Sequence, residues 1–533
     1  MWWKIKLLGM TSWRGTALNR SPEVRQSPPF MLPPSLQGEM AVLHAVADLF
    51  SALNEAGVRY CHWKSNHRLE WGLAGRTDLD LLVDPDHTDA FQRILARFDV
   101  KPLDAPPGKA YPGLAHYLGF DWDTGDLFHL HVHYALVLGE QHVKNYSLPL
   151  VERFLDSAEL RQGVKVPPPD LELVVLSLRA LLKYRDRDGV KDLLSVRSPG
   201  IPEHIRREIA WLLGRTTLEQ VAETLDDLAL PLPSGMVLEF LRAVQQDPRQ
   251  GRLFLGLRRR LRRALRPYQR STRLQASASY FLRVGRKRLL QGNGPDRQMT
   301  LPGRGLMIAL VGIDGAGKST MASKVTQWLS WRLHVPFYYL GSKQPSIWTS
   351  ASYMLFRMAR RSHREISKAL GEDHGLPVWI AKARQILLAS HYLFVGRDRY
   401  RRYRRARREV EAGAVVIFDR YPFEAPLDGP EIRRIDEGRL NAASRFLARL
   451  EERLYAGYAP VELLVLLEVA PETARGRKPD HALESIQAKR AALQSVKDQI
   501  ISEEDEWGWV SIDAGQSTED VLLAIKRSIW AAL

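Results

Sequence analysis

The chain of 533 residues has a single cysteine, Cys61. That excludes a disulfide framework and any zinc centre built from cysteine clusters. No run reaches the 18 or more apolar residues of a membrane span. The opening Met1-Trp2-Trp3-Lys4-Ile5-Lys6-Leu7-Leu8 is apolar only briefly and is broken by lysine, too short for a signal-peptide core. No internal repeat is present, and acid is in short supply: 61 Asp+Glu face 77 Lys+Arg, a net charge of +16. The rest is ordinary globular material, 45% hydrophobic and 26% charged, enough for several cores. The basic excess points to an anionic partner, whether nucleic acid, membrane surface or phosphorylated ligand.

Residues 1–39 carry Pro28, Pro29, Pro33 and Pro34 and read as a disordered tail. From Met40 to about 165 the pattern alternates. Residues 41–56 set Val42, Val46, Leu49, Phe50 and Leu53 at helical spacing. Val58–Trp63, Asp78–Val83 and Asp126–His133 then read as strands. Residues 166–291 read as helical, with a basic connector near their end, and Gly292-Asn293-Gly294-Pro295 marks a linker. Residues 300–533 repeat strand and helix. Their runs Leu306–Ile313, Val335–Leu340, Ala414–Phe418, Glu462–Val469 and Trp509–Ile512 are apolar nearly throughout, as strands buried on both faces are. The expected fold is α/β: a doubly wound parallel sheet at the C-terminus, preceded by an α+β domain with a helical extension.

Gly312-Ile313-Asp314-Gly315-Ala316-Gly317-Lys318-Ser319-Thr320 satisfies G-x-x-x-x-G-K-[ST], with a strand before it and a helix after it. Glycines let backbone N–H groups close around phosphates, and the helix N-terminus adds its positive end. Lys318 reaches the β/γ oxygens and the Ser319 hydroxyl ligates Mg²⁺. ATP and Mg²⁺ are therefore the expected cofactors.

Further motifs resemble the thymidylate kinase family. Asp314 stands where that family has an acidic residue in the loop. Leu393–Arg399 is similar to its helix with an Asp-Arg pair, which implies that Arg399 binds the acceptor phosphate. Val415–Tyr421 looks like its strand ending in Asp-Arg-Tyr, Leu467–Arg477 like the strand leading into its lid, and Ile512–Gly515 like its loop near adenine. The resemblance implies a phosphotransferase with Lys318, Asp314, Asp419, Arg420, Arg399, Arg475 and Arg477 as catalytic groups. Asp419 would hold the metal shell with Ser319. Arg475 and Arg477 would close over the γ-phosphate, because Ala316 leaves the loop without an arginine. After Asp-Arg-Tyr this chain reads Pro422–Pro430, without the family's thymine-framing segment, and residues 341–390 form an insertion. The expected acceptor is a nucleotide, nucleoside, sugar or glycan-precursor other than dTMP. If it is an alcohol, Asp314 is the nearest base.

Trp63-Lys64-Ser65-Asn66, followed by Thr77–Val83, resembles the nucleotidyltransferase superfamily in divergent form. Alternation puts Asp78 and Asp80 on one face, where two carboxylates can share a divalent metal. His129, His131 and His133, also on one face, stand where the superfamily has its third carboxylate. Two further readings stay open: a bifunctional enzyme with nucleotidyl transfer at Asp78/Asp80, and an ATP-binding regulator or membrane-associated scaffold without turnover.

Residues 252–290 contain 13 Lys+Arg and no acid, with Leu253, Leu257, Leu261 and Leu265 spaced every four residues. Such a basic amphipathic helix suits an anionic membrane surface, or packs its leucines on a neighbour. RNA-binding aromatic platforms are missing, so nucleic acid is not expected. Arg397–Arg408 holds eight Arg and one Asp beside the expected acceptor site. The expected location is cytoplasmic, peripheral at the inner membrane face if the connector binds there.

Overall fold

The computed structural model describes residues 41–533 apart from 107–109, 112, 140–143, 186–199, 229, 272–274, 276–297, 342–344, 371–377, 423–428, 434, 436–439, 480–482 and 503–507. The expected tail 1–39, the linker Gly292–Pro295 and most of Pro422–Pro430 lie outside the described residues.

In the N-terminal half, β1 (Tyr60–His62), β2 (Asp78–Val83), β3 (Lys101–Leu103), β4 (Leu114–Phe120) and β5 (Leu127–His133) form a sheet of order β1-β2-β5-β4-β3. β2 and β5 are parallel, and the other neighbours are antiparallel. Strand alternation sorts the faces. Leu79, Leu81 and Val83 pack with Phe128, Leu130 and Val132 in one core, with Leu49, Phe50 and Leu53 of the helix His44–Glu55. The other face carries the polar residues, in the register Asp78↔His129 and Asp80↔His131. Two short hairpins follow, β6 (Leu136–Leu138) with β7 (Tyr146–Leu148), and β8 (Glu159–Arg161) with β9 (Val164–Val166).

The helix Pro169–Lys183 is buried along nearly its whole length and gathers the helices Glu203–Leu213, Leu218–Asp227 and Ser234–Gln246. The basic connector begins as the helix Gly251–Ala264, which packs on it. Phe254, Leu257, Leu261 and Leu265 are at most 1% exposed, inside the same core. The leucine stripe therefore meets protein. Residues 276–290 of the segment lie outside the described residues.

The second sheet is parallel throughout: β10 (Leu306–Gly312), β11 (Phe337–Tyr339), β12 (Val415–Asp419), β13 (Leu463–Glu468) and β14 (Trp509–Asp513), in the order β11-β12-β10-β13-β14. Its continuous apolar strands divide by alternation between two cores. Leu306, Ile308, Leu310, Val415, Ile417, Leu463, Val465 and Leu467 face the helices Lys318–Leu329 and Thr518–Ala532. Met307, Ala309, Val416, Phe418, Leu464 and Leu466 face the helix Val378–Glu411. This two-sided burial is the reason that the strands lack polar alternation.

Val42–Leu533 forms one compact unit. Asp104 and Thr300 exchange both backbone hydrogen bonds (2.8 and 3.1 Å), and Phe120 stacks on Trp530 at 5.3 Å. Among the described residues, no helix is long and apolar enough to cross a membrane.

Candidate nucleotide-binding site

β10 runs into the loop Gly312–Gly317, and the helix Lys318–Leu329 follows at once. Loop amides and the helix N-terminus thus converge on one turn. Glycine is needed there. Gly315 has φ +92°, and a Cβ on it would meet the Ala474 carbonyl oxygen at 2.5 Å. Gly317 has φ +85°, a left-handed conformation that side chains disfavour. Ala316 is buried against the core, while Ser319 and Thr320 open to solvent.

Sheet order sets the remaining groups. β12 lies next to β10, so Asp419 at its end reaches the loop, and Ser319 Oγ donates to Asp419 Oδ2 at 2.7 Å. Asp419 is 2% exposed, yet its Oδ1 has no hydrogen-bond partner. A buried carboxylate oxygen without a donor is costly, and a hard cation would relieve it. These oxygens therefore fit Mg²⁺. Lys318 Nζ donates to the Gly312 and Ile313 carbonyls, both at 2.8 Å. Burial, reinforced by the charges of Arg420 and Lys489 and opposed by Asp314 and Asp419, pushes its ammonium down to about 8.

Asp314 is buried and forms ion pairs with Lys489 and with Arg420, the latter at 3.4 Å. Burial works to raise its carboxyl, but the Lys489 contact and the charges of Lys318 and Arg420 hold it down to about 2. Arg420 itself has φ +64°, strained for a residue with a Cβ, at the turn that leaves β12. Tyr421 is buried, donates to the Ala459 carbonyl at 2.5 Å and packs among Tyr403, Phe418 and Tyr458. In Asp-Arg-Tyr the tyrosine anchors the turn that the aspartate and arginine use.

Arg399 is placed in a different group. It is buried on the helix Val378–Glu411 and donates to Tyr455 Oη at 2.8 Å. Arg402, one turn further on, donates to the carbonyls of Tyr339 (2.6 Å) and Gly341 (3.3 Å) at the end of β11. Arg475 and Arg477 are exposed at the end of the helix Pro471–Arg477, and Arg477 donates to the Ala514 carbonyl at 3.0 Å. Beside the loop opens a cleft of about 470 Å³, lined by Ile313, Ala470, Arg490, Gln494, Lys497 and Asp513. Lys489 was not singled out in the sequence. It comes from the helix Leu483–Ser502, 175 positions from Asp314, with no local motif to mark it.

The other expected metal pair is already engaged. Asp78 is hydrogen-bonded to His129 Nδ1 (2.7 Å) and pairs with Arg332, which follows the loop helix. Asp80 is hydrogen-bonded to His131 Nδ1 (2.6 Å) and pairs with Lys64 Nζ (2.7 Å). Asp80, His131 and His133 bring ligating atoms within 4.8 Å of one another, a group that does not include Asp78.

Over 236 residues the chain is 31% identical to the Escherichia coli (strain K12) protein named "Uncharacterized ATP-binding protein YghS", covering 43% of this chain and 93% of that one. This chain belongs to that family of ATP-binding proteins. A second relative, "Uncharacterized ATP-binding protein YghR" of the same strain, is 30% identical over 205 residues, 36% of this chain and 75% of the relative. No protein-family model matches the chain. For an ATP-binding protein, the arrangement of loop, lysine and buried carboxylate has a direct chemical sense. Its cations, Lys318, Arg420 and Lys489, outnumber Asp314 and Asp419 until polyphosphate arrives.

Proposed function

We propose that the C-terminal half, residues 300–533, is a Mg²⁺–ATP-dependent phosphotransferase resembling thymidylate kinase. Its acceptor is a small phosphate-bearing molecule of nucleotide, sugar or glycan-precursor type, other than dTMP. The observation that carries this reading is Asp419, buried, with one oxygen on Ser319 and the other without a donor. Asp419 and Ser319 would hold Mg²⁺, which supplies charge neutralisation on the phosphates. Lys318 releases the loop carbonyls and takes β/γ oxygens. Gly312, Gly315, Ala316, Gly317 and Thr320 shape the cradle, and the cleft beside Asp513 receives the nucleoside. Arg420, strained and aimed at Asp314, clamps the transferring or acceptor phosphate. Arg475 and Arg477 close from the lid helix.

Asp314 favours a phosphate acceptor over an alcohol. A carboxylate held down to about 2 and bound to two cations is a poor base. Phosphate oxygens need no base. Its role is then to hold Lys489 and Arg420 over the loop. For Arg399 the contact with Tyr455 supports a wall of the acceptor side, with Arg402 nearer the end of β11.

We keep the division into residues 40–165, 166–291 and 300–533 as part of this reading. Nucleotidyl transfer at Asp78/Asp80 draws no support from carboxylates that already carry Arg332 and Lys64. A membrane-surface partner draws none from residues 252–265, whose leucines are spent in the core. The test is a panel of phosphorylated acceptors with the full chain and ATP. Acceptor-dependent ADP release that vanishes in Lys318→Ala supports the reading. Release that persists in Lys318→Ala overturns it.

A further inference from the structure

The N-terminal half gathers side chains that ATP binding at the loop does not use. Lys64 Nζ and the Arg179 guanidinium lie over the Trp63 ring, 5.0 and 5.4 Å from its centroid, and the His133 ring meets the same indole edge-on at 5.1 Å. Lys64 also sits on the Asp80 carboxylate. Lys183 is one turn beyond Arg179 on the helix Pro169–Lys183, and Lys144 lies over the Tyr111 ring at 5.4 Å.

These four cations are close enough to disturb one another. Burial, then the charges of Lys64, Lys183 and Arg179, push Lys144 down to about 7. Burial, then Arg179 and Lys64, bring Lys183 down to about 8, although its side chain is exposed to solvent. Lys183 closes the helix Pro169–Lys183 one turn beyond Arg179, so the two cations stand on the same side of that helix with Lys183 open to solvent. The acids opposing them are fewer: Asp80 and the buried Glu208, with Glu172 raised to about 7 by burial and bonded to Asn66. Trp63 Nε1 and His133 Nε2, in side chains 3% and 5% exposed, have no hydrogen-bond partner.

Crowded cations and unpartnered buried polar atoms are the makings of an anion receptor. A divalent metal is the weaker fit. Asp80, His131 and His133 have the reach for one, but an ammonium already occupies the carboxylate and three further cations would repel the ion. We propose that Lys64, Lys144, Arg179 and Lys183 form a second ligand site, which binds a multiply charged phosphate compound without a divalent metal, Lys64 taking on Asp80 the place of the ion. The N-terminal half is then a receptor for a phosphorylated small molecule, separate from the ATP loop.

The test uses the full chain with Lys318→Ala, which weakens polyphosphate binding at the loop, in excess EDTA, titrated calorimetrically with inorganic tripolyphosphate. One site per chain is expected. Lys64→Gln and Lys183→Gln should each weaken it about ten-fold or more, as loss of a charge-assisted contact does. Lys183→Gln guards against misfolding, because that side chain is exposed. It should leave the melting temperature of the free protein unchanged or raised while reducing the stabilisation given by tripolyphosphate. Absence of binding in EDTA, affinity in both variants equal to that of the parent, or saturation that appears only with added Mn²⁺ or Zn²⁺ would each overturn the proposal.

Discussion

Replacing Asp419 by asparagine tests the metal-holding role most sharply. The side chain keeps its shape and an oxygen for the Ser319 hydroxyl, but loses the negative charge behind the unpartnered Oδ1. If that oxygen serves Mg²⁺, the loss is that of a charged contact in a buried place, about 1.5–3 kcal/mol. Affinity for Mg²⁺–ATP should then fall roughly 10- to 150-fold. In EDTA the same change removes an anion facing the phosphates, so metal-free ATP should bind the variant as well as the parent, or better. Calorimetric titrations of both proteins, with and without Mg²⁺, complete the cycle. Equal weakening in both conditions would refute the reasoning, because Asp419 would then act on ATP or on the fold without the metal.

Three other outcomes follow from the same contacts. Lys318 has a folded-state ammonium lowered to about 8, so ATP, by restoring a negative neighbour, should draw in a proton between about pH 8 and 10. Calorimetry in buffers of different ionisation enthalpy should register that uptake, and Lys318→Met should abolish it. Arg332→Ala removes an ion pair with Asp78, a partly exposed contact, and should cost about 1 kcal/mol in a denaturant titration. Because His129 and Arg332 outweigh burial and hold the Asp78 carboxyl below its usual range, that loss should be full near neutral pH and shrink as the pH falls through the carboxylate range. Leu261→Ala should cost about 2–5 kcal/mol by leaving a core cavity, whereas a leucine facing water would cost little.

The chain's chemistry was unevenly legible. The strands β10, β12 and β13 announce themselves because burial on both faces removes polar residues from them, and their ends carry Gly312 and Asp419. β5 was equally clear from strict alternation, and alternation set Asp78 with Asp80 and the three histidines with one another, while the register that brings Asp80 beside His131 is legible only in the structure. β4 was not, since Leu114-Ala115-His116-Tyr117-Leu118-Gly119-Phe120 mixes apolar and polar residues without a period, and Gly119 is there to admit the Phe128 ring. The connector helix shows the limit of periodicity. A stripe of leucines among arginines says that one face is apolar, but not whether lipid or protein covers it, and here Pro169–Lys183 does. Ion pairs across long stretches of chain, Lys489 with Asp314 and Arg332 with Asp78, leave no local pattern at all.

The central claim is transfer of the γ-phosphoryl group to a second molecule, and the direct measurement follows that group. With γ-labelled ATP, Mg²⁺ and phosphorylated acceptors, label should appear covalently in one acceptor with ADP in equal amount, and in none with Lys318→Ala. Tight ATP binding with no labelled acceptor across nucleotides, sugar phosphates and glycan precursors would contradict the account and leave an ATP-binding protein without turnover.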